Sequence, residues 1–446
     1  MDISRSSKPL ILPESQFVNS APTRNEWERF RRYAARVVEL LIGGWRMAEV
    51  APETISFFGM RSTLDPLWPR LTSLRLADGL GWDVIPCILM FLSPKITTLA
   101  LTLPRDNNVL LQPMLSIVAD RCHCLQELVL SAVAFDSHSN NAVGELIIAC
   151  RDTLRTLDIR SPFKFAAGHL PTIANLPQLR CLRLWGAHTP CDPPPNAFPS
   201  LEEVVILRFH GQRFQHFFRR LRDLKVIKIH SIEVIAFGES MAELSRFSPS
   251  LRVLEISGAE NLVLPSAVVP PLLFTNLRTL YVGCLRWDDG THHGPCVFAP
   301  TDQAITELGA TMPNITHLTL GSPTCPNLQP VTFLSLVSLS KNCRDLETLT
   351  IRIDLQTMVA PSISGSEGAD MGATPDGTQD SPCKLRRLVV GLSILPNHPD
   401  SGWIVAGGLG RIFPSLSEVV GSGRDDWGKV WRNIRMLRQV LRTVQR

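Results

Sequence analysis

The sequence lacks the segments that would carry a chain into or across a membrane. Its longest apolar run, residues 82–101, is interrupted by Asp83, Lys95 and two prolines, whereas a transmembrane helix needs about 20 predominantly apolar residues. Near the N-terminus, Lys8 is followed only by Pro-Leu-Ile-Leu-Pro, which is too short and too rich in proline for the apolar core of a signal peptide. We therefore expect a cytoplasmic or nuclear protein that does not bind membranes.

The chain also has little unbalanced charge and no cysteine framework. A formal charge of +4 over 446 residues is too small for a global field that attracts nucleic acid. The eleven cysteines are an odd number and are scattered without regular pairs, which favours reduced thiols in the cytosol or nucleus. We expect no nucleic-acid partner and no disulfide scaffold.

Signatures of catalysis and of metal binding are missing as well. The sequence has no Gly-x-Ser-x-Gly, phosphate-binding loop, dinucleotide fingerprint or His-Glu-x-x-His, the patterns that most often mark an active site. Residues 284–296 hold two cysteines, two aspartates and two histidines, but the Cys-x-x-Cys spacing typical of zinc sites is missing. We predict that the protein is not an enzyme and holds no cofactor or metal.

One phrase recurs along almost the whole chain: leucine, two variable residues, leucine, one variable residue, leucine or isoleucine. Clear copies begin at Leu71, Leu125 and Leu251, and nine successive copies from residue 71 to residue 277 begin 22 to 29 residues apart. A period of roughly 20 to 30 residues built on this phrase is the signature of leucine-rich repeats, in which each unit forms one parallel strand. Degenerate copies included, the phrase predicts fourteen strands between residues 37 and 419.

The segments between the strands predict an irregular helical layer. Helical spacing of apolar residues occurs at 109–119, 142–150, 301–310 and 333–339. The asparagine that many repeat families place eight residues after the first leucine is missing. Cys122, Cys150 and Cys343 instead stand just before a strand, as in the cysteine-containing type of repeat. The chain thus predicts an α/β fold, a leucine-rich-repeat solenoid or horseshoe with a concave parallel sheet, irregular convex helices and helical end caps.

The ends of the repeat array predict caps, because a terminal unit exposes an apolar face. Trp27, Phe30 and Tyr33 form one stripe of a predicted cap helix over 25–36. Residues 424–446 form a basic amphipathic helix; such helices can bind membranes, calmodulin or nucleic acid, but we interpret this one as a cap whose arginines face water.

Two further segments complete the predicted organisation. Residues 1–24 are expected to be extended or disordered, ahead of a solenoid that covers 25–423. Residues 359–383 are rich in Gly, Ser, Asp and Pro and contain four acids without a basic residue. Because such a segment buries too little apolar surface to order itself, we predict a disordered acidic insert between two repeats.

The variable residues inside the phrase predict the functional surface. In a strand they alternate with the leucines and face the concave side. Outward positions on consecutive strands, with Leu207 beside them, form a mixed-charge patch that contains two aromatic residues, and Trp, Tyr and Arg are enriched at interface hot spots. The predicted partner-binding residues are Asp158, Arg160, Arg183, Trp185, Glu203, Lys228, His230, Glu255 and Tyr281.

Residues 25–37, with Trp27, Phe30 and Tyr33, followed by Leu67-Trp68-Pro69 and the copy beginning at Leu71, resemble the stretch just after the F-box in predicted fungal F-box proteins with leucine-rich repeats. The resemblance implies the substrate-receptor part of a cullin-type ubiquitin ligase. The repeats would hold the target protein, and an F-box would bind a Skp adaptor on the cullin.

The chain departs from this family at its start. Only 24 residues precede the helix that begins at Asn25, which is too few for the helical F-box itself. Two alternatives stay open: the F-box is lost from this gene model, and the adaptor and cullin are partners of the full-length product; or the protein is a stand-alone scaffold or inhibitor with no ligase link. In either case we expect a monomer.

Overall fold

The computed structural model divides the chain into two compact units, Met1–Leu201 and Glu202–Arg446. The residues that it describes are 23–42, 68–76, 89–102, 111–131, 137–162, 169–185, 193–194, 196–210, 215–221, 223–233, 249–258, 274–284, 300–321, 328–356, 382–393, 395, 400–421 and 426–444. The predicted N-terminal segment therefore lies almost wholly outside the described residues.

The first unit is built on six parallel strands that pair in chain order. The strands are β1 (Glu39–Ile42), β2 (Ser73–Leu76), β3 (Thr98–Thr102), β4 (Glu127–Ser131), β5 (Thr156–Pro162) and β6 (Cys181–Trp185). The helices are α1 (Arg24–Ala34), α2 (Leu111–Arg121), α3 (Ser137–Ala149) and α4 (His169–Ala174), with a 3-10 turn at Leu89–Phe91.

The second unit contains a ladder of eight strands, again in chain order. They are β7 (Glu203–His210), β8 (Val226–Glu233), β9 (Val253–Gly258), β10 (Thr279–Cys284), β11 (His317–Leu320), β13 (Thr348–Thr350), β15 (Arg387–Gly391) and β16 (Glu418–Gly421). A separate parallel pair joins β12 (Val331–Thr332) and β14 (Ile353–Asp354). The helices are α5 (Gln215–Phe218), α6 (Asp302–Thr311), α7 (Phe333–Asn342), α8 (Ser401–Ile412) and α9 (Asp426–Val444).

The leucine phrase determines which face of each strand is buried. Leu99, Leu128 and Leu157 are direct neighbours in the register of β3, β4 and β5, and all three are fully buried. Because side chains alternate along a strand, the residues between the leucines face the other way. All fourteen predicted strands are confirmed, and both units are α/β with long parallel ladders, an arrangement compatible with a solenoid.

The predicted helices are confirmed within a few residues of their expected ends. α2, for example, begins at Leu111 rather than at residue 109 and buries Leu111, Met114, Leu115 and Val118. In the described part of the chain, no helix has the length and apolar character needed to cross a membrane.

Backbone hydrogen bonds extend the pairing beyond the strands in both units. The backbone carbonyl of the residue after the first leucine of a phrase accepts hydrogen bonds from two N–H groups of the next phrase. The Thr72 carbonyl accepts from the nitrogens of Thr97 and Thr98 at 2.8 and 3.0 Å, and the Arg278 carbonyl accepts from those of Thr316 and His317 at 2.8 and 2.9 Å. The backbone carbonyl and N–H groups at the start of these strands are thus satisfied.

Polar side chains just before the first leucine supply the links that an asparagine ladder would otherwise make. Asn276 Nδ2 donates to the Pro249 carbonyl at 2.9 Å, and Asn314 Nδ2 donates to the Thr275 carbonyl at 2.8 Å. In the first unit, Lys95 Nζ donates to the Pro69 carbonyl at 2.8 Å and Ser200 Oγ to the Pro177 carbonyl at 2.7 Å. Sequence reasoning missed this position because residue types differ from phrase to phrase.

The cysteines before the strands are buried and link neighbouring phrases. Cys150 Sγ lies 3.8 Å from the Cys122 carbonyl oxygen, and Cys343 Sγ lies 3.8 Å from that of Gly309. Burial raises the pKa of the Cys122 and Cys343 thiols to about 12 and that of Cys150 to about 11. These thiols therefore remain protonated and act as small apolar side chains.

Cys383 corrects the end of the predicted acidic insert. This residue was expected to be disordered, but it is buried and its Sγ lies 3.4 Å from the Cys343 carbonyl oxygen. The prediction was wrong here because the cysteine belongs to the same buried position before a strand. Residues 359–381 of the insert lie outside the described residues.

The N-terminal cap helix forms, but the prediction that Tyr33 lies on its apolar side is wrong. Thr23 and Glu26 make a capping box at the start of α1, and the Phe30 ring packs edge-on against Trp68 with ring centroids 5.6 Å apart. Tyr33, placed on the apolar stripe by the helical spacing, is instead 53% exposed. The helix ends at Ala34, before the predicted residue 36.

The C-terminal helix α9 occupies Asp426–Val444 within the predicted 424–446. Its Trp427, Val430 and Ile434 are buried, and the helix packs on α8 and β16. Trp427 Nε1 donates to the Ser393 carbonyl at 3.1 Å. This face closes the apolar edge that the last strand would otherwise expose.

A carboxylate joins the starts of α6 and α7. Asp302 accepts hydrogen bonds from the Thr332 nitrogen at 2.9 Å, from Thr332 Oγ1 at 2.8 Å and from Ser335 Oγ. Burial alone would raise the pKa of the Asp302 carboxyl, but the hydrogen bonds from Ser335 and Thr332 outweigh it and lower that pKa below its usual value. Asp302 is also favourably placed at the positive end of α7.

We predict that the buried thiols resist alkylation in the folded protein, since the thiolate is the reacting form. At about pH 8, where an ordinary thiol begins to ionise, iodoacetamide should modify exposed Cys124 and leave Cys122, Cys150 and Cys343 unmodified. Peptide mass spectrometry reads each site, and labelling in urea is the control. Equal labelling rates at Cys122 and Cys124 would contradict the packing.

We predict that Asp302→Asn lowers the free energy of unfolding by roughly 1 kcal/mol at neutral pH, because an amide cannot accept all three hydrogen bonds. The folded-state pKa is depressed, so the stabilisation is present above the unfolded pKa of about 4 and is lost as pH falls through the folded value. Urea unfolding from pH 7 to pH 3 tests this, with Glu307→Gln on the same helix as the control. A difference that grows below about pH 4 would contradict the assignment.

Candidate partner-binding face

The side of the strands opposite the buried leucines, here called the open face, carries the residues predicted to bind a partner. In the first unit, Asp158 on β5 lies directly opposite Arg183 on β6. In the second unit, Lys228, Glu255 and Tyr281 are direct neighbours across β8, β9 and β10. The structure thus groups the predicted residues within each unit; that they form one continuous patch stays a prediction.

Asp158 is the organising residue of the first unit's part of the open face. Its Oδ2 lies 3.0 Å from Arg160 Nε and 3.9 Å from Arg183 Nη1, while the two arginine side chains are 54% and 41% exposed. Asp158 itself is only 2% exposed. It was predicted as a contact residue; the structure instead buries it and pairs its carboxylate with both guanidinium groups.

A bulge at the end of β5 separates Arg160 from Trp185. The register shifts between Ile159 and Pro162, so that Trp185 pairs with Pro162 instead of with Arg160. A proline without an N–H group commonly occurs at such irregularities. Arg160 is therefore exposed at the bulge, and partly exposed Trp185 ends β6 beside it.

An ion pair dominates the corresponding part of the second unit. Lys228 Nζ lies 3.5 Å from Glu255 Oε2, and both side chains are about one-third exposed (37% and 30%). Opposite charges that face each other across neighbouring strands contribute roughly 0.2 to 1 kcal/mol. The pair adds little stability, and its main effect is to fix the positions of two charges on the open face.

His230 stands beside this ion pair and is held by a buried hydroxyl. Its Nδ1 lies 2.5 Å from Ser257 Oγ, and Ser257 is buried on the neighbouring strand. Burial lowers the pKa of His230; Glu255 raises it and Lys228 lowers it, and the net shift is downward. The imidazole is thus neutral at pH 7 and offers hydrogen bonds rather than charge.

Tyr281 lies flat because of a glycine that sequence reasoning missed. A Cβ atom at Gly283 would stand 2.7 Å from Tyr281 Oη, closer than real Cβ contacts allow. The ring therefore occupies the space above Gly283, two residues further along β10. A glycine that follows an aromatic residue at this spacing within a strand is the signal that could have revealed the arrangement.

The row of the open face that contains Lys228, Glu255 and Tyr281 continues with uncharged residues. Thr319, Thr350 and Val389 follow Tyr281 in the register of β11, β13 and β15, and none carries a charge. Glu203 and Leu207 lie on β7 at the other side of the ladder and are partly exposed. Charge returns at the end of the ladder, where Arg387 Nε on β15 lies 3.3 Å from Glu418 Oε2 on β16 and both side chains are about half exposed. The described face of this unit thus has charges on β7 to β9 and on β15 to β16, with an uncharged, threonine-bearing row next to Tyr281.

The loop with two cysteines, two aspartates and two histidines, for which we predict no metal, begins at Cys284, the last residue of β10. Residues 285–296 lie outside the described residues. Within the described ranges, no group of three or more His, Cys, Asp or Glu side chains is arranged to hold a metal ion. The open face itself brings together hydrogen-bonding, charged and aromatic groups, and this chemistry suits recognition of another molecule.

No protein-family model matches this chain, and no curated protein matches it. The similarity of residues 25–37 and 67–76 to F-box proteins therefore stays a prediction. The function has to be argued from the geometry of the open face.

We predict that Gly283→Ala displaces the Tyr281 ring, because the added methyl group occupies its place. The chain has only two tyrosines, so fluorine NMR of the 3-fluorotyrosine-labelled protein gives separate signals for Tyr33 and Tyr281. The Tyr281 signal should shift while the Tyr33 signal stays. Gly428→Ala, at a position with open space around it, is the matched control and should move neither signal; an unmoved Tyr281 signal in Gly283→Ala would contradict the arrangement.

Proposed function

We propose that the chain is a leucine-rich-repeat protein that binds another protein on the open face of its parallel strands. The proposal includes no catalysis, no metal or cofactor, and no nucleic acid or membrane as partner. In this role the protein would correspond to the substrate-recognition part of an F-box protein in a cullin-type ubiquitin ligase, the family that residues 25–37 and 67–76 resemble.

The observation that supports the proposal is the difference in exposure between the two faces of each strand. Side chains such as Leu157 and Leu254 are fully buried, so they stabilise the fold and are unavailable to a partner. The alternate side chains, among them Arg183, Trp185 and Tyr281, are partly exposed. An open parallel-sheet face of stacked units ordinarily serves as a recognition surface.

The open face is also preorganised, which favours binding. Asp158 orients two guanidinium groups, Ser257 holds the His230 ring, and Gly283 lets the Tyr281 ring lie against its strand. Side chains fixed before binding lose less conformational entropy when the partner arrives. These supporting residues are buried, so they act by positioning the exposed ones.

The ligase role depends on the resemblance alone. Residues 1–22 lie outside the described residues, and the adaptor and cullin enter only through an F-box in the full-length gene product. A stand-alone scaffold or inhibitor would use the same open face without recruiting either.

Co-purification of the product of the full-length native transcript separates the two roles. Recovery of a Skp adaptor and a cullin together with a further protein supports the ligase receptor. Recovery of a stable partner without them supports the stand-alone role. If neither is recovered at any salt concentration, the protein-binding proposal fails.

We predict that Trp185→Ala and Arg183→Gln each weaken partner binding at least about tenfold, as expected for interface hot spots. Glutamine is chosen at residue 183 because a carboxylate there would repel Asp158. The melting temperature should change little, since both side chains are partly exposed. Trp403→Ala, which removes a 45% exposed tryptophan from α8, is the matched control; equal affinity of Trp185→Ala and wild type would place the site elsewhere.

A further inference from the structure

The outward face of α9 is basic and partly apolar. Trp427, Val430 and Ile434 are buried against the rest of the second unit. On the opposite side, Lys429, Arg432 and Arg435 are exposed, and so are Met436 and Val440, at 47% and 59%. Capping therefore accounts for the buried side of this helix, but not for the basic and apolar residues on its outward side.

The charge of α9 accounts for the net charge of the chain. The helix contains five basic residues and one acid, a formal charge of +4, and the whole chain also has a formal charge of +4. The remaining residues therefore sum to zero. Such a concentration of one sign attracts an acidic segment.

The chain contains an acidic segment of matching charge. Residues 357–381 contain Glu367, Asp370, Asp376 and Asp380 and no basic residue, a formal charge of −4. The segment also contains apolar Ile363 and Met371, which suit a face that exposes Met436 and Val440. The segment itself lies outside the described residues.

The chain shortly before this segment is linked through Ser393 to the first turn of α9. Gln356 is the last described residue before the segment. Three residues earlier, the Ile353 nitrogen donates to Ser393 Oγ at 2.7 Å. The Ser393 carbonyl in turn accepts from Trp427 Nε1 at 3.1 Å. Two hydrogen bonds through one serine thus connect the start of the segment with the start of the basic helix.

The other end of the segment leads into β15, one strand before the strand whose preceding turn is contacted by α9. Cys383, just after the segment, stands two residues before the first leucine of its phrase, as Pro414 does in the next phrase. Arg438 Nη2 of α9 donates to the Pro414 carbonyl at 2.6 Å. In sequence the segment leads from the end of β14 to the start of β15, while α9 follows the end of β16 and Arg438 contacts Pro414, shortly before the start of β16.

The segment is long enough to cover the helix. At 25 residues, its extended length is about 80 Å, whereas the 19 residues of α9 span about 28 Å. Tethering at both ends raises the effective concentration of the segment to the millimolar range, so that weak ion pairs suffice.

We propose that residues 357–381 dock on the outward face of α9, with their carboxylates paired to Lys429, Arg432 and Arg435. The contact covers the chain's main concentration of positive charge from within the same molecule. It is an interaction separate from the open face, so its failure would leave the proposed partner binding untouched.

Carbodiimide cross-linking tests the proposal, because this reagent joins a carboxylate to a lysine amine only when the two are in direct contact. At low salt we expect Lys429 to be joined to a carboxylate of residues 357–381 in the full-length protein. Arg432→Gln with Arg435→Gln should reduce the yield at least about fivefold, and so should 0.5 M salt, at which the Debye length is only a few ångströms. Tandem mass spectrometry identifies the joined residues.

A matched control isolates the contribution of α9. Arg29→Gln with Arg32→Gln removes the same charge from exposed positions of α1 and should leave the yield unchanged. Circular dichroism should show that the α9 variant is folded. Absence of the cross-link in folded wild type, or an equal yield in the α9 variant, overturns the proposal.

Other occupants give distinct results. A cross-link that joins isotopically light to heavy chains would show a second copy on α9. Binding of phosphatidylserine vesicles or of a short DNA duplex, lost in Arg432→Gln with Arg435→Gln but unchanged when residues 357–381 are neutralised, would show that the face is open to lipid or nucleic acid. Each of these results overturns docking of the acidic segment.

Discussion

Burial of leucine side chains stacked in register is the constraint on which the other features of this structure depend. Neighbouring strands lie just under 5 Å apart, so each leucine packs against its equivalent in the next phrase, as Leu99, Leu128 and Leu157 do. A slip of one residue would turn a whole row toward water. The same register therefore holds Asp158 opposite Arg183 and Lys228 opposite Glu255.

The strands and helices could be predicted because each follows from a periodic apolar pattern. The phrase locates all fourteen strands, and the spacing of Leu111, Met114, Leu115 and Val118 locates α2. The burial of Cys122, Cys150 and Cys343 was predictable for the same reason, since each stands at a fixed distance before a strand. Local pattern and tertiary packing agree at these positions.

The details of the open face could not be predicted, because they depend on contacts between side chains. Alternation places Asp158 outward, yet it is only 2% exposed and pairs with two guanidinium groups. Gly283, whose missing side chain makes room for Tyr281, is marked only by its spacing from that tyrosine and not by the leucine phrase. Asn276 and Asn314 replace an asparagine ladder at a different position of the phrase, and only the distances to neighbouring carbonyls reveal it.

The leucine side of each strand stabilises the fold and the other side is the proposed recognition surface, and hydrogen–deuterium exchange with the co-purified partner tests this difference most directly. On binding, exchange should slow in peptides that contain Arg183 and Trp185 and in those that contain Lys228 to Tyr281. Peptides from α2, α3, α6 and α7 should be unchanged. Protection confined to those helices, with the strands unaffected, would contradict the central claim that the open face binds the partner.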